Sequence, residues 1–342
     1  MAKIRVAVVG AAGYAGEELL RILLRHPGVE ITAITSRKNA GQGVDTVFPR
    51  FAGSGLTFVE PDAENLAKLC DAAFLALPHG LATEYAIPLL KLGVRVIDIS
   101  ADFRLRSTAK YEEYYGQPHP APELLKEAVY GQPERYREQL KGANLVACAG
   151  CYVTSIILGS CPLLEAGLVK TTGIVASSMS GVTGAGRKVD LAYIFPECNE
   201  SLKAYKVWGH RHLPEMEQEL ACAAGVPELK MSFIPHLVPV NRGINSTIIF
   251  DAEPGCTLDK VGEAFHHAYD GEQFVQVLPA KSCSDTKYVT MTNMCQIGYN
   301  LDPHTGKVIV TSVIDNLTKG ASGQAVQCMN IMFGFSENAG LV

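Results

Sequence analysis

The segment that most constrains this chain is Ile4-Arg-Val-Ala-Val-Val9, an apolar β-branched run that leads into Gly10-Ala-Ala-Gly13-Tyr-Ala-Gly16 and then the helical pattern Glu17 to Arg25. A second strand-like run, Glu30 to Thr35, follows at the distance a βαβ unit requires. Glycines at such a turn permit a tight bend, let backbone approach a pyrophosphate and allow close helix packing, while the helix N-terminus presents N–H groups to the anion. Gly10, Gly13 and Gly16, with the intervening Ala12, Tyr14 and Ala15, are therefore candidate cofactor contacts. The spacing is G-x-x-G-x-x-G in place of the usual G-x-G-x-x-G, so the strand-loop-helix context carries the reading. A purely structural glycine turn is the competing one.

An NAD-preferring site ordinarily ends its second strand on an acid that bonds the ribose hydroxyls, but this chain has Thr35-Ser36-Arg37-Lys38. The Ser36 hydroxyl and the Arg37 guanidinium suit a 2′-phosphate, so NADP is the expected cofactor; solvated loop charges are the alternative. The alternation continues through Asp71 to Leu77, a helix to Lys91, and Val94 to Ser100. Runs apolar on both faces predict a buried parallel sheet. The loop Ala101-Asp102-Phe103-Arg104 follows a strand's carboxyl end, where ligands sit in open parallel sheets, so Arg104 is either an anion ligand or the partner of Asp102.

The apolar run ending at Ala147 reads as another strand and Ser155 to Leu164 as a helix, which leaves Cys151 in the turn at the helix start. Unpaired backbone N–H groups and the positive end of the helix dipole favour thiolate there, and thiolate is the nucleophile; a cysteine that is merely buried is the competing reading. Beyond this point the pattern becomes strand-rich: Met231 to Val240, Asn245 to Phe250, Tyr288 to Gly298 and Lys307 to Ile314 read as antiparallel strands. The expected architecture is α/β: a Rossmann-type parallel-sheet nucleotide-binding domain, residues 1–149 plus about 316–342, and an α+β catalytic, substrate and dimerisation domain, 150–315, with a mainly antiparallel sheet. The closing stretch is an apolar helix expected to pack on the first domain.

At 342 residues the chain is long enough for two domains, and a net charge of −5 gives no basic excess for nucleic acid. No run reaches transmembrane length and Met-Ala-Lys-Ile-Arg leads straight into a strand, so no membrane partner and a cytoplasmic location are expected. Ten cysteines scattered through apolar segments, among them Cys70, Cys161, Cys222, Cys256 and Cys328, suggest reduced core residues and no disulfide framework. The segment Tyr205-Lys-Val-Trp-Gly209-His210-Arg211-His212-Leu-Pro-Glu215 offers two histidines as a base for the cysteine, a metal pair or a helix cap. A nucleotide loop and an exposed thiol in one chain point to reduction through a covalent thioester, which needs an acid–base group.

Seven separated segments carry a resemblance that spans the chain in order: 10–16, Thr-Ser-Arg at 35–37, Ala-Asp-Phe-Arg at 101–104, Ala-Gly-Cys-Tyr at 149–152, Ser-Gly-Val-Thr-Gly-Ala-Gly-Arg at 180–187, Gly-His-Arg-His at 209–212 and Lys-Gly-Ala-Ser-Gly-Gln-Ala at 319–325. With them the sequence resembles the N-acetyl-γ-glutamyl-phosphate reductases of the aspartate-semialdehyde dehydrogenase-like superfamily. The resemblance implies NADPH-dependent reduction of an acyl phosphate to a semialdehyde and phosphate, in arginine biosynthesis. It implies Cys151 as nucleophile and His212 as acid–base, with His210 in reserve. Arg104, Arg187, Tyr205 and Glu215 are the implied substrate contacts, Glu215 alternatively orienting a histidine or simply standing as a carboxylate at a helix N-terminus. Ser180, Gly181, Asn316 and Gly320 join the implied cofactor contacts, no metal is implied, and a homodimer or homotetramer is expected.

Two features depart from the family pattern. Cys148-Ala149 stand where the family has Asn-Pro, and Val153 where it has Pro. Cys148 creates a C-x-x-C whose oxidation would silence Cys151; a small residue at a strand end is the alternative. Rival readings are a zinc module built from Cys148, Cys151, His210 and His212, an NADP-sensing regulator, a thiol hydrolase, and a relative acting on an aspartyl or carrier-linked acyl phosphate. Spacing does not reveal the pocket that would choose between acyl groups.

Overall fold

Strands that are apolar on both faces need cover on both, and helices packed on the two sides of a parallel sheet provide it. In the computed structural model, which describes residues 3–342, the chain divides into two units: the residues up to Ala109 with Pro118–Ala149 and Ala321–Val342, and Lys110–Gln117 with Gly150–Gly320. The first unit contains β1 (Ile4–Val9), β2 (Val29–Thr35), β3 (Phe58–Val59), β4 (Ala72–Leu75), β5 (Arg95–Asp98), β6 (Val129–Gly131) and β7 (Leu145–Cys148). They pair in the order β3-β2-β1-β4-β5-β7-β6, every pair parallel. Strand order reverses beside β1, the switch point at which open α/β sheets bind ligands.

Two apolar clusters cover this sheet. One gathers Val6, Val8, Phe74 and Ile97 with Ala325, Val326 and Met329 of the helix Gly323–Phe333; the other gathers Ala7, Val9 and Leu75 with Tyr85 and Leu89 of the helix Ala82–Lys91. The C-terminal helix is thus a core element of the first unit. It is fixed further by Arg95 Nη1 donating to the Met332 carbonyl at 2.6 Å and by His26 Nε2 against Asn330 Oδ1 at 2.8 Å.

The second unit contains β8 (Ile174–Gly181), β9 (Lys203–Ala204), β10 (Met231–Val238), β11 (Ile244–Asp251), β12 (Val275–Val277), β13 (Cys295–Asp302) and β14 (Lys307–Ile314), in the order β12-β13-β14-β11-β8-β10-β9. The sheet is mixed. β8 and β10 run parallel, as do β12 and β13. Two parallel strands need a crossover, and the helix Leu213–Ala224 lies in the one between β8 and β10. The strand expected from Tyr288 begins only at Cys295, after a short 3₁₀ turn at Thr286–Tyr288.

Burial alternates along β10 and β11, so one face of the sheet is covered and the other is partly open. The helix Cys151–Glu165 lies on the covered face, where Gly159 allows close packing: a Cβ there would stand 3.0 Å from Ile248 Cδ1 and 3.2 Å from Ser312 Cβ, so these side chains would have to give way. Among the described residues no helix is long and apolar enough to cross a membrane. Of the cysteines expected in the core, Cys70, Cys161 and Cys328 are buried, but Cys222 is exposed and Cys256 is half-buried.

Candidate active site

The helix expected from Ser155 begins four residues earlier. Gly150, in extended conformation, is its N-cap and Cys151 its first residue, with Thr154 N–H already bonded to the Gly150 carbonyl at 2.8 Å. Cys151 is partly exposed, whereas Cys148 is fully buried in β7. A thiol in the first turn of a 15-residue helix feels the positive end of the dipole, which favours thiolate.

Three segments shape its surroundings in the second unit. Gly320 is one wall, because a Cβ there would meet Cys151 Cβ at 2.8 Å and Ile314 Cδ1 at 3.2 Å. The turn carrying Gly320 is held by Asp315, whose carboxylate is fully buried and accepts from Arg242 Nη1 at 3.1 Å, Met291 N–H at 2.7 Å, Leu317 N–H at 2.8 Å and Thr318 N–H at 3.0 Å. Asn316 continues the brace, accepting from Gly243 N–H at 2.9 Å and donating to Thr183 Oγ1 at 2.9 Å. Gly181 is needed where β8 runs against the next turn, since a Cβ would stand 2.8 Å from the Val240 and Asn241 carbonyl oxygens. Ser180 is buried and bonds the Gly181 carbonyl, and Arg187 follows on an exposed loop after Gly186.

The second wall is aromatic. Tyr152 and Tyr205 face each other hydroxyl to hydroxyl at 3.1 Å, and His210 lies against both rings, against Phe233, and 5.1 Å from the His212 ring. Burial pushes the Tyr205 hydroxyl up to about 12, with charge on Cys151 adding to it, and raises Tyr152 further for the same reasons together with Tyr205. Both phenols therefore stay protonated, and the Tyr152 hydroxyl is placed to donate to the His236 carbonyl at 3.3 Å. His210 is brought down to about 4, first by burial and then by Lys206 and Arg211. Its Nδ1 accepts the His212 backbone N–H at 3.1 Å, so His210 is a neutral acceptor that shapes the turn into the helix Leu213–Ala224.

Glu215, in the first turn of that helix, is 1% exposed and accepts the Gly150 N–H at 2.9 Å. The carboxylate thus holds the backbone immediately before the nucleophile. The sequence offered Glu215 as a substrate contact, as the orienter of a histidine or as a carboxylate at a helix N-terminus, and its place in the first turn matches the last; it did not single out Tyr152, Asp315 or Arg242, because only folding gives them these partners.

In the first unit the glycine loop is built for close approach. Gly10 has φ +86°, and a Cβ there would stand 2.4 Å from the Ala76 carbonyl oxygen; at Gly16 it would stand 2.5 Å from both Gly10 O and Ala11 Cα. Thr35 anchors the loop by accepting Gly10 N–H on its hydroxyl and Ala11 N–H on its carbonyl. Gly13 caps the helix Tyr14–Leu23 without a side-chain bond, and Ser322 Oγ donates to the Ala15 carbonyl at 2.8 Å. A cradle that excludes side chains beneath a helix N-terminus fits a dinucleotide's pyrophosphate. At the end of β2, Ser36 Oγ accepts Asn39 N–H, and Arg37 Nη2 donates to Tyr85 Oη at 3.0 Å and lies 3.5 Å from Glu84.

The loop after β5 is a buried polar knot. Asp102 accepts Gly80 N–H at 2.6 Å and Ala82 N–H at 2.9 Å, fixing the start of the helix Ala82–Lys91, and its own carbonyl is met by His119 Nε2 at 2.7 Å. Burial and the charge of Asp102 push Asp98 up to about 7. Arg104, 7% exposed, donates to the Ile99 carbonyl at 2.7 Å and lines a cavity with Arg106, Tyr130 and Tyr136. Among the described residues no three His, Cys, Asp or Glu side chains are grouped to hold a metal ion.

Residues 5–143 match the model of the semialdehyde dehydrogenase NAD binding domain and residues 151–316 that of the semialdehyde dehydrogenase dimerisation domain. An N-acetyl-gamma-glutamyl-phosphate reductase of Akkermansia muciniphila is 53% identical over 100% of this chain and 99% of its own. One of Laribacter hongkongensis is 48% identical over 99% and 98%. Among solved structures, aspartate semialdehyde dehydrogenase II of Vibrio cholerae shares the fold with a TM-score of 0.74 at 16% identity, covering 98% of this chain and 99% of that one. The Candida albicans enzyme crystallised with NADP superposes with a TM-score of 0.69 at 16% identity, over 98% and 99%.

Proposed function

Because the chain belongs to the N-acetyl-gamma-glutamyl-phosphate reductase family of semialdehyde dehydrogenases, we propose that it reduces N-acetyl-γ-glutamyl phosphate to N-acetylglutamate semialdehyde and phosphate in arginine biosynthesis. The observation that carries the chemistry is Cys151 as the first residue of its helix, held by Gly320 on one side and by the Glu215–Gly150 bond behind it.

In this reading the Cys151 thiolate attacks the acyl carbon, the carbon–oxygen bond to phosphate breaks, and phosphate leaves with the electron pair. The product on the enzyme is a thioester. The Gly10–Gly16 loop with Ser36 and Arg37 would hold NADPH, which when bound would supply the two-electron reduction of the acyl group to the aldehyde. Release of the aldehyde returns the sulfur as thiolate. His212 is the acid–base group, a role supported by the commitment of His210 Nδ1 to the His212 backbone and by its depressed basicity.

Tyr205, whose hydroxyl meets that of Tyr152, is assigned to the substrate as a phenolic contact, and Arg104 and Arg187 are the cations assigned to its phosphate and carboxylate. Ser180, Gly181, Asn316 and Gly320 are further residues assigned to the cofactor. The first unit is then the NADP-binding domain, and the second the catalytic and dimerisation domain of a cytoplasmic homodimer or homotetramer. Val189, Phe195 and Trp208, all exposed, are apolar surface suited to such a contact.

The reverse reaction tests this directly. N-acetylglutamate semialdehyde, NADP and phosphate are added to the wild type and to Cys151→Ser, and NADPH formation is followed. Phosphate-dependent turnover that disappears in the variant is expected. Turnover with aspartate semialdehyde alone would overturn the substrate, and full activity in Cys151→Ser would overturn the nucleophile.

A further inference from the structure

Arg37 is a surface cation, yet its guanidinium is not a loose one. Its side chain is 65% exposed, but Nη2 ends on the hydroxyl of Tyr85, which is only 6% exposed and sits in the buried cluster with Ala33, Leu75 and Leu89. Because a hydroxyl can accept and donate at once, Tyr85 takes the Arg37 N–H while keeping its own proton for another acceptor. The loop backbone is fixed as well: Ser36 N–H is bonded to the Val59 carbonyl at 3.2 Å, and Ser36 Oγ accepts from Asn39.

Against this anchored fork stands Glu84, one residue before Tyr85 on the same helix, its carboxylate 3.5 Å from Arg37 Nη2 and 54% exposed. Exposed pairs at that distance hold weakly, so a stronger anion can take the place of the carboxylate. A phosphate dianion is such an anion for an arginine fork. Glu60, just beyond β3, also acts on the charge of Arg37. An incoming phosphate therefore meets one oriented cation surrounded by carboxylates.

We propose that Tyr85 and Glu84 set the cofactor preference of this protein: Tyr85 holds the Arg37 guanidinium in position, and Glu84 is the resident counter-ion that the 2′-phosphate displaces. Tyr85 is a specificity residue acting partly through Arg37, and Glu84 works against phosphate binding without affecting a cofactor that lacks the group. The inference rests on the reading of the β2 loop as an NADP site.

The test is calorimetric titration of NADP and of NAD into the wild type, Tyr85→Phe and Glu84→Gln. In Tyr85→Phe the dissociation constant for NADP should rise about tenfold while that for NAD moves by less than about twofold, because only the charged hydrogen-bond partner is affected. In Glu84→Gln the NADP constant should fall by roughly two- to fivefold, again with NAD unchanged, and the gain should shrink in high salt. A wild type with no preference for NADP would overturn the cofactor reading itself. A wild type that prefers NADP, with an unchanged NADP-to-NAD ratio in both variants, would overturn this inference and leave the reading standing. Parallel loss of both affinities in Tyr85→Phe would mark a merely structural residue and overturn its assigned role; an unchanged ratio in Glu84→Gln alone would overturn the counter-ion role.

Discussion

Replacing His210 by Asn should remove a defined part of the protein's acid sensitivity. His210 titrates near 6.5 when unfolded but at about 4 in place, because burial, Lys206 and Arg211 all oppose its charging. Between those values the unfolded chain binds a proton that the folded one does not, so folding stability falls as pH drops from about 6.5 to about 4 and levels off below. A separation of about 2.5 pH units corresponds to roughly 3 kcal/mol at full development, of which about 2 kcal/mol is already lost at pH 5 relative to pH 7.5. Asparagine can still accept the His212 N–H through its side-chain oxygen, but it cannot be protonated in this range.

The assay is urea unfolding of wild type and His210→Asn at both pH values, followed by circular dichroism. His26, lowered by burial, destabilises in the same direction on acidification, and Asp98, raised to about 7, in the opposite one. Both cancel in the difference between the two proteins. The wild type should lose about 2 kcal/mol more than the variant between pH 7.5 and pH 5. Equal losses would refute the depressed titration of His210 and with it the argument that leaves acid–base work to His212.

Gly320→Ala places a methyl 2.8 Å from Cys151 Cβ, so the nucleophile or its turn must shift; stability should fall by about 1–3 kcal/mol and kcat by roughly ten- to a hundredfold. Normal kcat with normal thiol alkylation would show that the turn yields instead. Glu215→Gln exchanges a charged acceptor of the Gly150 N–H for a neutral one and should cost about 1–2 kcal/mol in urea unfolding, with a lowered rate of Cys151 alkylation. An unchanged alkylation rate would reduce Glu215 to a helix-packing residue.

Local pattern was enough to read the parallel half of this protein. The β1 run, the glycines after it and the strand that follows specify a βαβ unit because each is a short-range signal: apolar β-branched residues extend, and glycine supplies the φ of +86° at Gly10. The same holds for Cys151, whose position at a helix start follows from Gly150 and the apolar run behind it, although the helix begins four residues earlier than periodicity alone indicated. The strand-rich half was legible as strands but not as a pairing scheme, since the parallel match of β8 with β10 is decided by a crossover and not by composition. Nor did periodicity reveal that Glu215 would meet Gly150, that Arg242 would meet Asp315, or that Tyr85 would hold Arg37. Those partners lie 65, 73 and 48 residues apart in the chain. A side chain's local preference is set by its neighbours in sequence, but which buried charge or hydroxyl it must satisfy is set only when packing excludes water and leaves one partner within reach.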